Sequence, residues 1–578
     1  METYYIGLAN TFHDPAMAII DSAGKVLYAE ASERYLQYKR AVGCAADERE
    51  TVHRVLRDYC HPKARFVIAK PWSRHVERSL EKMWASGATN HERLPGRSDS
   101  MTKFLFGKHV LYSQAWLQFA SFQLSGGHLA DILRISHDNK KVSYARFPHH
   151  LAHAANGAFT GPFAEAAVMV VDGQGDGGSI TYFNYKNGRL KEVHQVSGEP
   201  SLGILYTVCT QMCGFDSDKG EEWKMMGLAP YGKVDVEILE DFRSLVQIDG
   251  LDIKYRSLRH TRNWFQKMQP RMRAPGASPM RAANLACTTQ YFYAEVMSAL
   301  LTHFHALGFS DNLVLGGGCA LNSSYNGQIL DRTPFRHLHV PCAPADDGNA
   351  LGAAFLAYQK EHPGTDIRIS IQSPYLGAEI SNQTLENLVK FGRIPKSQHL
   401  PGTIHRKAAA LLAEGKLLGW VQGRAEFGPR SLGNRSILAD PRPAGMKDRI
   451  NGLVKFREEF RPFATSILDE YGDEYFENYQ VTPYMERTLT FRESVRAKVP
   501  AVVHTNGTGR LQSVRRDWNE RFHDLIRAFH EFTGVPMLLN TSFNIMGKPI
   551  IHSVEDAVAL FYTTGLEALV IGDYLFEK

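Results

Sequence analysis

Arg424, Arg430 and Arg435 lie within Gly423-Arg-Ala-Glu-Phe-Gly-Pro-Arg-Ser-Leu-Gly-Asn-Arg-Ser436, among three glycines and one proline. A solvated helix face has no use for the glycines, and a core strand does not tolerate the arginines. Glycine lets backbone N–H groups come close to a ligand, and a guanidinium fork grips phosphate or carboxylate oxygens in pairs. These residue types could therefore bind an oxyanion, although a basic surface loop would be the better reading of the segment by itself. It has company. Asn451 to Phe463 carries Lys455, Arg457 and Arg461; Gly507-Thr-Gly-Arg510 follows; and Asn540-Thr-Ser-Phe-Asn-Ile-Met-Gly547 offers Ser542 and Asn544. Convergence of these segments predicts a small, heavily charged ligand, a phosphate-bearing metabolite.

A second kind of chemistry is written nearer the N-terminus. His149 and His153, in Pro148-His-His-Leu-Ala-His-Ala-Ala155, have the i, i+4 spacing that puts two imidazoles on one helix face. Such a pair alone is more often structural. Asp172, which opens Asp172-Gly-Gln-Gly-Asp-Gly-Gly178, and Asp346, beside Asp347 and Gly348, change that reading. Together they make a mixed nitrogen–oxygen donor set suited to Fe(II), Mn(II) or Zn(II), an ion that could hold nucleotide phosphates or polarise a carbonyl. His13, in the first polar turn, is a general-base candidate, with plain turn capping an equal alternative. Lys224 sits in Gly220-Glu-Glu-Trp-Lys-Met-Met-Gly-Leu-Ala-Pro-Tyr-Gly232 and either neutralises a charge or packs its stem over the core. Asp14, Glu33 and Lys39 read as well as surface charges. Gly316, Gly317 and Gly318, with Asn322 beyond them, would let a nucleotide lie against the backbone, or simply make a tight crossover.

The elements that must position these residues follow from pattern. Residues 4–9, 16–20 and 26–30 read as a strand, then after a polar turn a hairpin; residues 167–171, 179–184 and 190–193 repeat the design. Two such copies suggest a duplicated α/β unit, as in the actin-like ATPases. A helix is expected around 285–307, a strand at 312–315, a small-residue helix after Asp347, and a helical insertion over 73–145. Prolines and polar residues at 359–400 mark the junction, drawn as a linker at 363–400 between domains 1–362 and 401–578. A helix from Ile404 and the strand Leu417–Val421 open the second domain.

At 578 residues the chain is expected to form two domains, with 44% hydrophobic and 22% charged residues, as in ordinary globular proteins. A net charge of +5 does not describe a nucleic-acid-binding surface. Seven cysteines are too few for a disulfide framework, and no apolar run approaches a membrane span. The N-terminal residues lack the pattern of a signal peptide, so a cytoplasmic, reduced protein is expected, with no nucleic-acid or membrane partner.

These motifs, in order, resemble the O-carbamoyltransferase family of nodulation-type and antibiotic-tailoring enzymes. The matching stretches are His13-Asp14, His149/His153, Asp172-Gly, Gly220 to Gly232, Gly316 to Asn322 and Asp346-Asp-Gly348; then Glu426 to Ser436, Lys455 to Phe463, Gly507 to Arg510 and Asn540 to Asn544. The resemblance implies an α/β protein with an N-terminal duplicated actin-like ATPase domain and a C-terminal YrdC-like α/β domain. It implies that the second domain makes carbamoyl adenylate from carbamoyl phosphate and ATP, with Mg as the nucleotide's counter-ion. The first would then pass the carbamoyl group to a hydroxyl of a small-molecule acceptor, a specialised metabolite. His149, His153, Asp172 and Asp346 would hold Fe(II) or another divalent metal, with Asp347 the rival to Asp346. Arg430, Lys455, Arg461, Arg510, Ser542 and Asn544 would hold carbamoyl phosphate and ATP. His13, Lys224 and Arg430 would be catalytic, and Lys224, Gly316, Gly317, Gly318 and Asn322 nucleotide-binding. A homodimer is the assembly it suggests. Two departures from the family pattern are the partial match over Glu33 to Arg40 and Asn506 where aspartate is common. A carbamoyl-dependent maturase or threonylcarbamoyl-tRNA-type ligase on the same folds is the alternative. This chain has no CxxC pair of the kind a maturase's zinc-finger segments carry, and a simple kinase would leave the arginine-rich half and the histidine pair unexplained.

Overall fold

The apolar run Thr3–Ala9 pairs antiparallel with Ala16–Ile20 and parallel with Arg65–Lys70 in the computed structural model, which describes residues 2–85, 101–136, 142–198, 200–364, 371–392, 394 and 396–578. Val26–Ala31 and Val142–Arg146 complete a five-stranded sheet. Counted along the chain, its strands lie in the order third, second, first, fourth, fifth. Arg189–Ser197, Gly178–Lys186, Glu165–Val171, Asn312–Gly316 and His337–His339 form a second sheet with the same order and the same strand directions. The duplication expected from the sequence is therefore present strand for strand. Central strands buried on both faces must be apolar throughout, which is why Ala16–Ile20 and Ala166 to Val171 read as unbroken apolar runs.

Two helices carry or follow the histidine and aspartate motifs. His149–Phe159 and Asn349–Glu361 approach so closely that a Cβ on Gly352 would lie 1.9 Å from the Ala152 carbonyl oxygen. Only glycine permits that approach, and it brings the first turn of one helix beside the start of the other. The helix expected around 285–307 runs Ala283–His305. The insertion over 73–145 contains helices Arg74–Ala85, Met101–Leu124 and Gly127–Ser136, but its last residues are corrected to the fifth strand of the first sheet. Residues 86–100 and 137–141 of that expectation lie outside the described residues.

The chain divides into two units: Met1–Glu33, Arg40–Leu321 and Ile329–Gln372; and Arg34–Lys39, Asn322–Gln328 and Ser373–Lys578. The second is built on a nine-stranded mixed sheet. Leu418–Val421 lies between Ala568–Ile571 (parallel) and Arg435–Ala439 (antiparallel). Next come Met537–Ser542, Ala464–Leu468 and Thr508–Val514. Trp420, Ile437, Ile467, Leu511, Leu538 and Phe522 are fully buried in its core. Of the four segments singled out, three begin or end on strands of this one sheet, and the fourth, Asn451 to Phe463, leads directly into Ala464–Leu468. The linker drawn at 363–400 is corrected: residues 365–370 lie outside the described residues, and beyond Gln372 the chain already belongs to the second unit, with helix Asn382–Phe391 and edge strand Ser397–His399. Leu385 supplies the reason, since it is buried in that unit's core. Among the described residues no helix is long and apolar enough to cross a membrane, and all seven cysteines are free.

Candidate metal centre and anion cradle

In the first unit the helical spacing does what it predicts. His149 and His153 face one point, their Nε2 atoms 3.2 Å apart. Asp172 Oδ2 lies 3.3 Å from both, and Asp346 Oδ1 lies 3.4 Å and 3.2 Å from them. Ligand atoms of all four residues fall within 4.8 Å of one another. The histidine tautomers follow from their other nitrogens. His149 Nδ1 is 3.3 Å from the Pro71 carbonyl oxygen and His153 Nδ1 is 3.1 Å from that of Pro344. A carbonyl only accepts, so both Nδ1 atoms carry the proton and both Nε2 lone pairs face the carboxylates. Lone pairs and carboxylates crowded into a buried point repel unless a cation sits among them. Without a metal a proton must serve, and this is why His149 is pushed up to about 10: burial opposes its charging, but Asp346 and Asp172 outweigh burial. The donor set fits a divalent ion.

The doubled aspartate is separated by the fold. Asp346 faces the histidines, which hold it well below the usual carboxylate range against burial. Asp347 instead accepts from the Gly348 amide at 3.0 Å, and burial followed by Asp14 and Glu33 pushes it up to about 7. His150 points away, its Nδ1 2.7 Å from Thr181 Oγ1. The glycines at 316–318 serve this centre: Gly318 N–H donates to Asp172 Oδ1 at 3.2 Å, joined by Gly173 N–H at 2.8 Å. That leaves Oδ2 for the histidines. Gly317 has φ +87°, and a Cβ there would lie 2.3 Å from the Val171 carbonyl oxygen. Gly317 N–H also donates to Pro344 O, the acceptor of His153 Nδ1.

His13 borders the quartet, with Nδ1 2.9 Å from Asp14 Oδ2 and 3.8 Å from Asp346 Oδ2. Burial would raise the Asp14 carboxyl, but Arg40, 3.1 Å away, and His13 hold it well below its ordinary value. Lys224 lies 2.7 Å from Glu221 and over the Phe215 and Trp223 rings, so its charge is already partnered. Asn322 belongs to the second unit, where its side chain caps helix Ser323–Asn326. Sequence reasoning missed three supports of this centre: Asn349, 3.0 Å from His153 Nε2; Asp176, which caps the His149 helix; and Trp72, whose ring lies 4.2 Å from that of His149. Trp72 carries no local signal, because it is brought in from a separate segment; Asp176 and Asn349 stand within three or four residues of Asp172 and Asp346, where sequence alone does not say which polar side chain turns to the histidines.

The second unit gathers cations. Of the three arginines in the opening segment, Arg424 and Arg435 are structural: Arg424 donates to the Gly377 carbonyl, and fully buried Arg435 to those of Gln422, Gly423 and Ala378. Arg430 has no side-chain partner among the described residues, and burial pushes it down to about 10. Arg510 likewise lacks one, its Nε buried and unbonded. Burial, then Arg430, Arg457 and Arg461, hold Arg510 well below its ordinary value. Burial, Arg457 and Arg461 do the same to Lys455. Arg457 donates to Asn451 Oδ1 at 2.9 Å and lies over the Phe463 ring, with Nη2 buried and unbonded. Glu458 lies 3.6 Å from Arg461.

Lys455 is placed differently from expectation. Its Nζ donates to Ser542 O, to Ser542 Oγ at 3.2 Å, and to Asn544 O and Oδ1 at 3.0 and 2.8 Å. Ser542 donates in turn to Asn544 Oδ1 at 2.7 Å. Lys455, Ser542 and Asn544 therefore brace one another, while Arg430, Arg457 and Arg510 keep unspent donors. Arg457 stood in a segment the sequence singled out, but the family pattern did not mark it. Glu426 shapes the loop: its Oε1 accepts from the backbone N–H groups of Leu432, Asn434 and Arg435 at 2.7, 2.8 and 3.1 Å.

The crowding has a pH signature. Burial, then Arg510, pushes His504 down to about 4 from 6.5. Between those values the unfolded chain binds a proton that the folded chain refuses, so stability is full above pH 6.5 and falls as pH drops towards 4, by about 3 kcal/mol at most. Thermal midpoints from pH 7 to 4.5 should fall less steeply in His504→Asn; an unchanged slope would remove His504 from the account.

Comparison with known proteins adds two family matches: the carbamoyltransferase N-terminus over residues 5–355 and the carbamoyltransferase C-terminus over residues 409–578. The nodulation protein NolNO of Sinorhizobium fredii is 37% identical over 78% of this chain, which covers 66% of that protein. The nodulation protein NolO of Bradyrhizobium diazoefficiens is 36% identical over 74% of this chain and 78% of its own. Among solved structures, full-length HypF in its phosphate- and nucleotide-bound form aligns with 62% of this chain and 55% of its own, at 11% identity and a TM-score of 0.35.

Proposed function

The chain belongs to the carbamoyltransferase family, and on that premise we propose that it is an ATP-dependent O-carbamoyltransferase working in two stages. The second unit, read as YrdC-like, takes carbamoyl phosphate and ATP, forms carbamoyl adenylate, and releases phosphate and pyrophosphate. The first transfers the carbamoyl group to a hydroxyl of a small specialised metabolite, releasing AMP. The observation that carries this reading is the buried group of cations, in which burial, then Arg430, Arg457 and Arg461, hold Arg510 below its ordinary value, and burial, then Arg457 and Arg461, do the same to Lys455. Like charges are held together in a low-dielectric place only when an anion of comparable charge regularly joins them. Arg430, Arg457 and Arg510 would grip phosphate oxygens and stabilise the charge that develops as one phosphoryl group leaves and another is attacked. Lys455, Ser542 and Asn544 would keep the facing turn in place.

In the transfer stage His149, His153, Asp172 and Asp346 would hold the divalent ion. When bound, Fe(II) or a similar ion supplies Lewis acidity towards the carbamoyl carbonyl. His13 has its Nδ1 proton directed at Asp14, which leaves the Nε2 lone pair to take the proton of the acceptor hydroxyl. Arg40 keeps Asp14 ionised for that purpose. Enclosure of the labile adenylate from water explains why one chain would carry both stages.

The test is pyrophosphate release from ATP with and without carbamoyl phosphate. Wild type should need carbamoyl phosphate, and Arg430→Ala should lose at least about tenfold of that release. Release indifferent to carbamoyl phosphate, even with a pool of hydroxylated acceptors present, would sink the adenylate stage.

A further inference from the structure

Arg34 is another charged side chain buried in the second unit with an unbonded polar atom, and it comes from the far end of the sequence. Residues 34–39 belong to that unit. Arg34 is 2% exposed. Its Nη2 donates to the Gly428 carbonyl oxygen at 2.6 Å, and its Nη1 is buried and unbonded. A guanidinium shut away from water to hold a single carbonyl is a poor route to stability, since an apolar side chain of similar volume would fill the space at lower cost. The carbonyl it holds is the informative part.

Gly428 is followed by Pro429 and Arg430. Gly428 has φ +107°, a conformation that side-chain-bearing residues rarely adopt, and Pro429 has no N–H with which to anchor itself. Arg430 has no side-chain partner among the described residues. The direction of its guanidinium is therefore set by the backbone that precedes it. Downstream, Glu426 Oε1 gathers the amides of Leu432, Asn434 and Arg435. Upstream, the Arg34 bond to Gly428 is the matching pin, and Arg430 stands between the two.

Arg34 is itself secured. Its carbonyl accepts from Gln37 Nε2 at 2.7 Å, and the same amide donates to the Ile550 carbonyl at 3.0 Å. Gln37 does this from a left-handed backbone, φ +50°, a strained conformation that persists only where the surroundings enforce it. The turn from Arg34 to Gln37 thus touches the chain on both sides of the cradle: Gly428 before Arg430, and Ile550 just beyond the turn whose Ser542 and Asn544 hold Lys455.

We propose that Arg34 is a positioning residue of the anion cradle, fixing the Gly428 carbonyl so that Arg430 is aimed at the bound oxyanion. The inference rests on reading the cradle as the site for carbamoyl phosphate and ATP. It predicts that Arg34→Ala damages oxyanion binding through Arg430.

Two readouts test it on the full chain: carbamoyl-phosphate-dependent ATP–pyrophosphate exchange, and the Kd of inorganic pyrophosphate by calorimetry. Arg34→Ala should raise the KM for carbamoyl phosphate and the Kd for pyrophosphate by about tenfold or more, because a small misplacement of a gripping group is costly. Arg34→Lys, which can still donate to one carbonyl, should recover part of both. Millimolar guanidinium should improve Arg34→Ala and leave Arg430→Ala unchanged. In the Arg34→Ala/Arg430→Ala double variant the two losses should not add, since both act through one side chain. A KM and Kd within twofold of wild type would overturn the proposal. So would a loss that tracks a fallen thermal midpoint and that neither lysine nor guanidinium relieves, for that is the mark of a merely structural arginine. A wild type without exchange would count against the carbamoyl-adenylate reading alone, and the pyrophosphate Kd would still decide the role of Arg34.

Discussion

Asp346→Asn is expected to remove the divalent ion and with it the transfer stage, while leaving the adenylate stage in place. Metal content by mass spectrometry should fall from about one ion per chain to background, and O-carbamoyl transfer by about 10³-fold, equivalent to about 4 kcal/mol of barrier. The argument is electrostatic. Asp346 Oδ1 lies 3.4 and 3.2 Å from the two imidazole nitrogens, and it heads the causes that raise His149 against burial. Asparagine keeps the shape and loses the charge. The remaining donors are then two neutral imidazoles and one carboxylate, a weaker shell for a hard or borderline cation. Carbamoyl-phosphate-dependent pyrophosphate release should continue near the wild-type rate, because none of the cations gathered in the second unit is touched. Full metal retention with transfer reduced less than tenfold would show that the quartet is not the metal centre. Asp347→Asn is the internal control: that carboxyl is already pushed up to about 7 and faces the Gly348 amide, so metal content should be preserved.

Arg510→Met should make the protein more stable and much less active. Arg510 is buried, its Nε is unbonded, and three neighbouring guanidinium groups oppose its charge. Exchanging such a group for an apolar one of similar length relieves both desolvation and repulsion, worth about 1–2 kcal/mol. In a domain of this size that is a rise of about 2–5 °C in thermal midpoint. Loss of one preorganised donor facing developing charge costs about 10²-fold in pyrophosphate release. The two effects share a cause, since a site held ready for an anion is strained without it. Added pyrophosphate should therefore raise the wild-type midpoint markedly and that of Arg510→Met little. A lower midpoint in the variant would mean that Arg510 is a satisfied structural cation.

Periodicity carried far in this chain. Alternating and unbroken apolar runs located three strands of the first sheet and four of the second to within a few residues, because a strand buried on two faces has little room for polar side chains; Arg65–Lys70, Val142–Arg146 and His337–His339 were not marked by pattern. The i, i+4 spacing of His149 and His153 was equally legible, since helix geometry alone puts them on one face. Composition raised the expectation of an anion site, because guanidinium forks suit oxyanions, but two of the three arginines in the opening segment are spent on backbone carbonyls. Junctions were less legible: residues 373–400 are rich in proline and polar groups, yet they fold with the second unit, where a single buried Leu385 outweighs their composition.

The sequence by itself determined the class of fold, the histidine pair and the abundance of cations, all of which rest on local spacing or residue type. Only the tertiary structure decided which members of each set are available. Asp346 and Asp347 are neighbours of one type and both buried, and the turn before helix Asn349–Glu361 aims one at the histidines and the other at the Gly348 amide. Arg424, Arg430 and Arg435 share one loop, and carbonyls from residues 376–378 and 422–423 consume two of them and leave the third. Arg34 stands almost four hundred residues from the carbonyl it holds. A donor is free or spent according to which acceptors the folded chain brings to it, and those acceptors are backbone atoms that every residue possesses and no sequence marks.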